Sequence, residues 1–208
     1  IKQGARLLDF KIYNKNNKAI VASSSDTSYK YKETYNYLEI GDVFKTIINK
    51  AFSSGTCPNY NDPLILYFRM YTSESDVYDD LADNIQSYLS PRLLSSITYS
   101  NESNGNNIFN KAMSNFMKKI IIITHVNDQQ LFEKTKLKQY TNMTSGPNSP
   151  FIQLKTSFNV NATQNIDELI QYNRMKSTIV IPDLNTIDIN YDPSTSLASG
   201  CQFLSLIH

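Results

Sequence analysis

The sequence is poor in the residues that most easily betray a function. It has two cysteines, Cys57 and Cys201, in 208 residues. That excludes a disulfide framework and a four-cysteine zinc site. Two lone cysteines so far apart give no signal for a bridge, and none is expected between them. There are only two histidines, His125 and His208, too few for a three-histidine metal centre. Neither sign of charge is in excess: the formal net charge is +1 and the isoelectric point about 7.8. Binding to phosphate backbones needs a surplus of Lys and Arg, so nucleic acid is not an expected partner. No apolar run approaches the roughly 18–20 residues that span a bilayer. The longest is residues 64–68, which is strand length. There is no GxSxG elbow, no P-loop and no HExxH.

What is present suits one globular domain. Hydrophobic residues make up 40% and aromatics 12%, enough to bury a core without disulfides. The chain begins with Ile rather than Met and shows no signal-peptide pattern at its start, which reads as a segment of a longer protein whose compartment is not legible. Three Asn-x-Ser/Thr sequons, at Asn101, Asn142 and Asn161, are what chance provides in a chain this rich in Asn, Ser and Thr.

The hydrophobic pattern alternates strand and helix. Residues 6–13 read as a strand with Leu8, Phe10 and Ile12 on one face, and with Asp9 and Lys11 together on the other. Residues 20–23 form a short second strand. Asp42 is expected to cap a helix to Phe52, and Ser73 a helix to Leu89. Between them, residues 64–70 have the continuous apolar character of a buried strand. A helix is expected near 108–117, followed by the strongest strand, 119–124. Further strands are expected at 151–160 and 177–181, a helix at 166–172, and a last segment at 202–207. The stretches 99–107 and 141–150 read as loops. Strands separated by helices imply parallel β-α units. About seven of them fit a β/α barrel better than an open sheet, although periodicity does not decide between the two.

Several short motifs, taken in order, resemble the phosphatidylinositol-specific phospholipase C family. Gly4-Ala5-Arg6-Leu7-Leu8-Asp9-Phe10-Lys11 resembles the segment in which Gly-x-Arg leads into a carboxylate-bearing strand. Pro63-Leu64-Ile65-Leu66-Tyr67-Phe68-Arg69 resembles the family's next strand. Tyr172-Asn173 to Pro182, then Asp188, Asn190-Tyr191, Pro193 and Gly200-Cys201-Gln202, resemble the second half of the eukaryotic barrel. The Gly-Cys-Gln ending after Asn-Tyr-x-Pro is the most specific of these. The resemblance covers almost the whole chain and is weakest between Gln129 and Ile166. It implies an α/β fold, a phospholipase-C-like (β/α)8 TIM-type barrel, with room for a further strand beyond each end. The barrel would be one domain over 1–208, X-like over about 1–128 and Y-like over about 150–208.

The family reaction is attack of the inositol 2-hydroxyl on the phosphodiester. It needs a general base, a general acid and positive charge on the phosphate. The resemblance implies two histidines for acid and base. It also implies calcium held by carboxylates in eukaryotic members, and an Arg beside an Asp in place of calcium in bacterial ones. This chain departs from that set. The second family His falls at Ser23 or Ser24, and a hydroxyl does not take imidazole's proton role near neutral pH. The carboxylate positions hold Asp9, Lys11 and Arg69. One carboxylate with two cations repels calcium, so no metal cofactor is expected. The family's lysines fall at Thr124 and Val126, and its Arg and Tyr at Ile179 and Ile181.

Asp9 and Lys11 remain as catalytic candidates on the bacterial Asp-x-Arg pattern, or as an ion pair filling the barrel mouth. Lys lacks the guanidinium fork, so that exchange is not neutral. Lys11, Arg69 and His125 are the candidate phosphate-binding set. His125 qualifies by ending the strong strand, where β/α barrels carry their sites. The alternatives are solvated strand-end charge for Arg69 and an ordinary polar strand end for His125. Tyr29, Tyr31, Tyr35 and Tyr37 cluster in one loop, either packed on the barrel or touching a membrane surface. The leading expectation is therefore a degenerate phospholipase-C-like domain, a pseudoenzyme keeping at most a phosphate or phosphoinositide-headgroup site. A metal-independent phosphodiesterase using Asp9 and Lys11 with an upstream His is the second, and a structural or protein-binding module the third.

Overall fold

The structure is a computed structural model that describes residues 1–23, 36–100, 108, 111–147, 149, 151–183 and 190–206. Ser24, Tyr29, Tyr31, Tyr35, Asp188 and His208 lie outside the described residues, as does the Asn101 sequon. The chain divides into two compact units, Ile1–Thr144 and Ser145–His208.

The first unit is built on a six-stranded mixed sheet of order β3-β2-β1-β4-β5-β6. The strands are β1 (Leu7–Lys15), β2 (Lys18–Val21), β3 (Leu38–Glu39), β4 (Leu64–Met70), β5 (Ile120–His125) and β6 (Met143–Ser145). β1, β4 and β5 run parallel, with Lys11 paired to Arg69 and Arg69 to His125. The helix-and-strand alternation predicts this parallel core. It does not predict that β2, expected as a strand over 20–23, runs antiparallel, nor β3 beside it. Asn16 and Asn17 explain the reversal. Both hold positive φ, 52° and 59°, and the Asn14 Oδ1 accepts from Asn17 N at 2.9 Å. Two left-handed residues give the turn whose twist matches a hairpin, and Asn tolerates that conformation better than most residues do.

Period-two alternation sends each strand's residues to opposite faces. Ile12, Leu66, Phe68, Met70, Ile120 and Ile122 face one way, into the core under the helices. There α1 (Ile40–Ala51) buries Ile40, Phe44, Ile47 and Ala51. α2 (Ser75–Leu89) buries Val77, Tyr78, Leu81, Ala82, Ile85 and Leu89. Both stripes have helical spacing, and the two helices pack on each other. Asp9, Lys11, Tyr67, Arg69, Ile123 and His125 take the opposite face.

Several boundaries differ from expectation. α1 starts two residues before Asp42, which lies in its first turn and pairs with Lys45 at 2.9 Å. α2 starts at Ser75 rather than after Ser73. The helix expected near 108–117 is, among the described residues, a single 3-10 turn at Met113–Phe116. Only Phe116 of that turn is buried, while Met113 and Met117 are exposed. Beyond it, Lys118 turns the chain with φ 59°. A short α3 (Gln129–Glu133), a 3-10 turn at Lys136–Tyr140, and β6 lie where no element is expected. The Asn142 sequon is not a glycosylation site in the folded chain. Asn142 is buried, its Oδ1 accepts from Ile122 N, and its Nδ2 donates to the carbonyls of Leu94 and Tyr99.

Arg6, the Arg of the Gly-x-Arg segment, anchors the foot of β1. It donates to the carbonyls of Ala51, Asp62 and Pro63 and to the Cys57 Sγ. The Phe52 ring lies under its guanidinium. Cys57 and Cys201 are both buried free thiols.

The second unit holds three parallel strands, β7 (Ile152–Thr156), β8 (Ser177–Ile181) and β9 (Phe203–Leu204), in that order. β7 ends four residues before the expected 160. The Thr156 hydroxyl accepts from Asn159 N and the Asp183 carboxylate accepts from Phe158 N, which starts α4 (Ser157–Asn161) instead. α5 (Ile166–Met175) is capped by Asn165, and α6 (Ser194–Ala198) follows Pro193.

The Gly-Cys-Gln segment is a structural clamp in this unit. Gly200 holds φ +73°, a conformation that favours glycine. The Asn173 Nδ2 donates to Ser199 O at 2.8 Å, and the Asn173 Oδ1 accepts from Thr178 Oγ1 at 2.6 Å. The Gln202 Oε1 accepts from Thr178 N at 2.9 Å, and its Nε2 donates to Asn173 O at 2.7 Å. Beneath, Val160, Leu169, Val180 and Cys201 form a small core. Burial, with Cys201 and Asp183 nearby, pushes the Tyr191 hydroxyl up to about 12.

Candidate functional site

Asp9, Lys11, Arg69 and His125 lie on one face of β1, β4 and β5, as strand alternation and the parallel register require. Lys11, Arg69 and His125 sit level across the three strands. Asp9 is one pleat deeper, opposite Tyr67.

Arg69 reaches back diagonally to that carboxylate. Its Nε donates to Asp9 Oδ1 and its Nη2 to Asp9 Oδ2, each at 2.8 Å. This is the bidentate fork that a guanidinium makes with a carboxylate and an ammonium does not. The side chains are 11% and 7% exposed, so Arg69 is not a solvated strand-end charge. Burial works against the guanidinium's charge, but Asp9 together with Tyr71 and Tyr67 outweighs it and holds the pKa above its ordinary value. The cation engaging Asp9 in this fork is thus Arg69, whereas the sequence spacing places Lys11 beside it.

Tyr71 completes the cluster. Its hydroxyl accepts from Arg69 Nη1 at 3.4 Å, and the Lys11 Nζ lies 6.0 Å from its ring centroid. The motifs do not point to Tyr71. Period two does, because Tyr67, Arg69 and Tyr71 share a face.

His125 carries a pKa below its ordinary value. Burial is the first cause and the Arg69 charge the second; a hydrogen bond with Asn127 and the Asp9 charge oppose them. The imidazole is therefore neutral near pH 7. A depressed pKa means that the unfolded chain binds the proton more readily. Stability contributed by the neutral ring is present above about pH 6.5 and is lost as pH falls through the folded value. The parent is expected to lose more thermal stability between pH 7.5 and 5.5 than His125→Asn does. Equal losses in the two proteins would contradict that assignment.

Other candidate positions fall elsewhere. Ser23 follows Val21, which pairs with Ile12, so it lies beside β1 on the antiparallel neighbour, and it is exposed. Thr124 alternates away from His125. It is fully buried, with its Oγ1 2.8 Å from that of Thr141. Val126 is buried in the helix-side core. Ile179 and Ile181 belong to β8 of the second unit, with Ile179 fully buried. Tyr37 lies under the Lys15 ammonium, 3.5 Å from its ring centroid.

The overall backbone has clear counterparts among solved structures. A calcium-dependent phosphoinositol-specific phospholipase C from Pseudomonas sp. superposes with a TM-score of 0.57 at 9% identity. The match covers 97% of this chain and 80% of that one. A calcium-dependent phosphatidylinositol-specific phospholipase C from Streptomyces antibioticus gives a TM-score of 0.56 at 9% identity, over 97% and 84%. The chain has a phospholipase-C-like fold. No protein-family model matches the sequence, and no curated protein does. At this identity the likeness carries the phospholipase-C-like fold and leaves the site to its own residues.

Among the candidate residues, calcium would meet one carboxylate, Asp9. The ion takes six to eight oxygens, mostly carboxylates and carbonyls. Here both oxygens of Asp9 are engaged by Arg69, and the other charged group level with it is Lys11. Among the described residues no cluster of three His, Cys, Asp or Glu side chains could hold a metal. No helix among the described residues is long and apolar enough to cross a membrane.

Proposed function

We propose that this chain is a phosphatidylinositol-specific phospholipase C-like phosphodiesterase domain that has lost turnover and keeps a calcium-independent site for phosphate or inositol phosphate. Residues 1–208 would form one β/α barrel, X-like over about 1–128 and Y-like over about 150–208. The observation that carries the reading is the buried Asp9–Arg69 fork, with Lys11 and His125 level above it.

The charges explain the preference. Among the described residues, Lys11 and Arg69 bring two positive charges to the face that carries Asp9, a combination that suits an anion. On this reading the Arg69 guanidinium would take the part that a metal plays toward the phosphate. Lys11 is the candidate to meet a phosphate oxygen directly, while Arg69 keeps Nη1 beyond its bonds to Asp9. Neutral His125 would donate or accept one hydrogen bond there. Turnover needs a base and an acid on opposite sides of the reacting phosphorus. His125 would supply one imidazole, and Ser23 or Ser24 stands where the resemblance places the second.

The same fork favours one other reading, an active metal-independent phosphodiesterase in which Arg69 beside Asp9 replaces the calcium. Turnover separates the two. Phosphatidylinositol vesicles incubated with the protein at pH 7, with calcium or with a chelator, are expected to release no inositol cyclic phosphate above background. Release that Asp9→Asn abolishes would overturn the degenerate reading and establish the active one.

A further inference from the structure

We propose that Tyr71 is the positioning residue of the anion site, orienting both the Lys11 ammonium and the Arg69 guanidinium through its ring and hydroxyl. The inference rests on the anion-site reading above and adds the residue that sets its geometry.

Tyr71 is fixed by backbone and ring. Its N–H donates to the Ile12 carbonyl at 2.8 Å, directly past the end of β4. That places it across from Tyr13. The two rings stack at 5.2 Å between centroids with 22° between planes, and Tyr13 is only 2% exposed. A ring packed on a buried ring keeps one orientation.

The two cations meet different parts of that ring. Arg69 commits Nε and Nη2 to Asp9. Its Nη1 goes to the Tyr71 hydroxyl oxygen. The Lys11 Nζ sits at the edge of cation–π range. Two like charges level on neighbouring strands repel. A hydroxyl oxygen offered to one and a π system offered to the other reduce that cost without adding a second carboxylate. A carboxylate in this place would neutralise the site and compete with phosphate. Tyrosine orients the cations without bringing a charge of its own.

The test is titration calorimetry with two probes, inorganic phosphate and inositol 1-phosphate, on full-length protein. The variants are Tyr71→Phe and Tyr71→Leu, each with and without Lys11→Ala. Tyr71→Phe keeps the ring stack and removes only the hydroxyl, and is expected to weaken binding about threefold. Tyr71→Leu removes both contacts and is expected to weaken it about tenfold. Lys11→Ala is expected to cost about tenfold in the parent but no more than about twofold in the Tyr71→Leu background. A purely structural role would leave the two effects additive, and additivity overturns the proposal. Thermal melts identify a variant that has not folded, and Tyr71→Phe, which preserves the packing, then decides: unchanged affinity overturns the proposal. Equal losses with both probes place the contact on the phosphate group. Loss confined to inositol 1-phosphate would put Tyr71 on the inositol ring and overturn the assignment. If the parent binds neither probe, the anion-site reading falls together with this inference. If the parent binds and the Tyr71 variants match it, only this inference falls.

Discussion

Arg69→Met is expected to cost about 3–5 kcal/mol of stability, because it removes the bidentate fork from the Asp9 carboxylate, 7% exposed. The energy lost is mainly the penalty of a buried charge that has lost its fork, not the net worth of the ion pair. That distinction is itself measurable. Asp9→Leu combined with Arg69→Met removes both charges and replaces them with apolar groups of similar size. The double variant is expected to recover most of the loss, since a buried pair often contributes little beyond its own desolvation cost. Denaturant unfolding of the single and double variants gives the cycle. A loss below about 1 kcal/mol for Arg69→Met would mean a solvent-screened pair and would contradict the burial on which the site argument stands.

Asn173→Ala is expected to cost about 2–4 kcal/mol, with the loss concentrated in the second unit. The substitution leaves the buried Thr178 hydroxyl without its acceptor and the Ser199 carbonyl without its donor. It also removes packing beside the Cys201 Sγ, 3.6 Å from the amide. Gln202, which bonds the Asn173 carbonyl and the Thr178 N–H, keeps its backbone partners, so β8 should loosen rather than detach. Amide hydrogen exchange would show protection falling at Ile179 and Val180 while Leu66 and Ile122 in the first unit hold. Uniform loss across both units would contradict the local role.

Both predictions concern residues at motif positions, and they show how far a sequence of this kind can be read. Residues 64–70 and 177–181 are bounded in the structure as their apolar runs suggest. Parallel strands buried on both faces have little freedom in composition. Short elements held by side-chain caps are not legible in periodicity. α4 replaces the tail of a strand because Thr156 and Asp183 capture its first amides, and Asp183 lies 25 residues away in sequence from Phe158. The hairpin of β1 and β2 turns on two asparagines whose positive φ no apolar pattern records.

The candidate site divides in the same way. That Asp9 and Lys11 share a face follows from period two alone. That Arg69 rather than Lys11 makes the bidentate fork with Asp9 depends on the register between β1 and β4, which is a property of the fold and not of either segment. Thr124 and Val126, where the resemblance places the family's lysines, alternate to the face opposite His125 and are buried. Gly200, Cys201 and Gln202 carry the most specific part of the resemblance and turn out to organise backbone rather than chemistry.

The most direct test of the account is calorimetric titration of the full-length protein with inorganic phosphate, once with calcium and once with a chelator, beside Lys11→Ala. The account predicts binding of the same affinity in both conditions, weakened about tenfold by the substitution. Binding that appears only with calcium, or no binding in either condition, would contradict it.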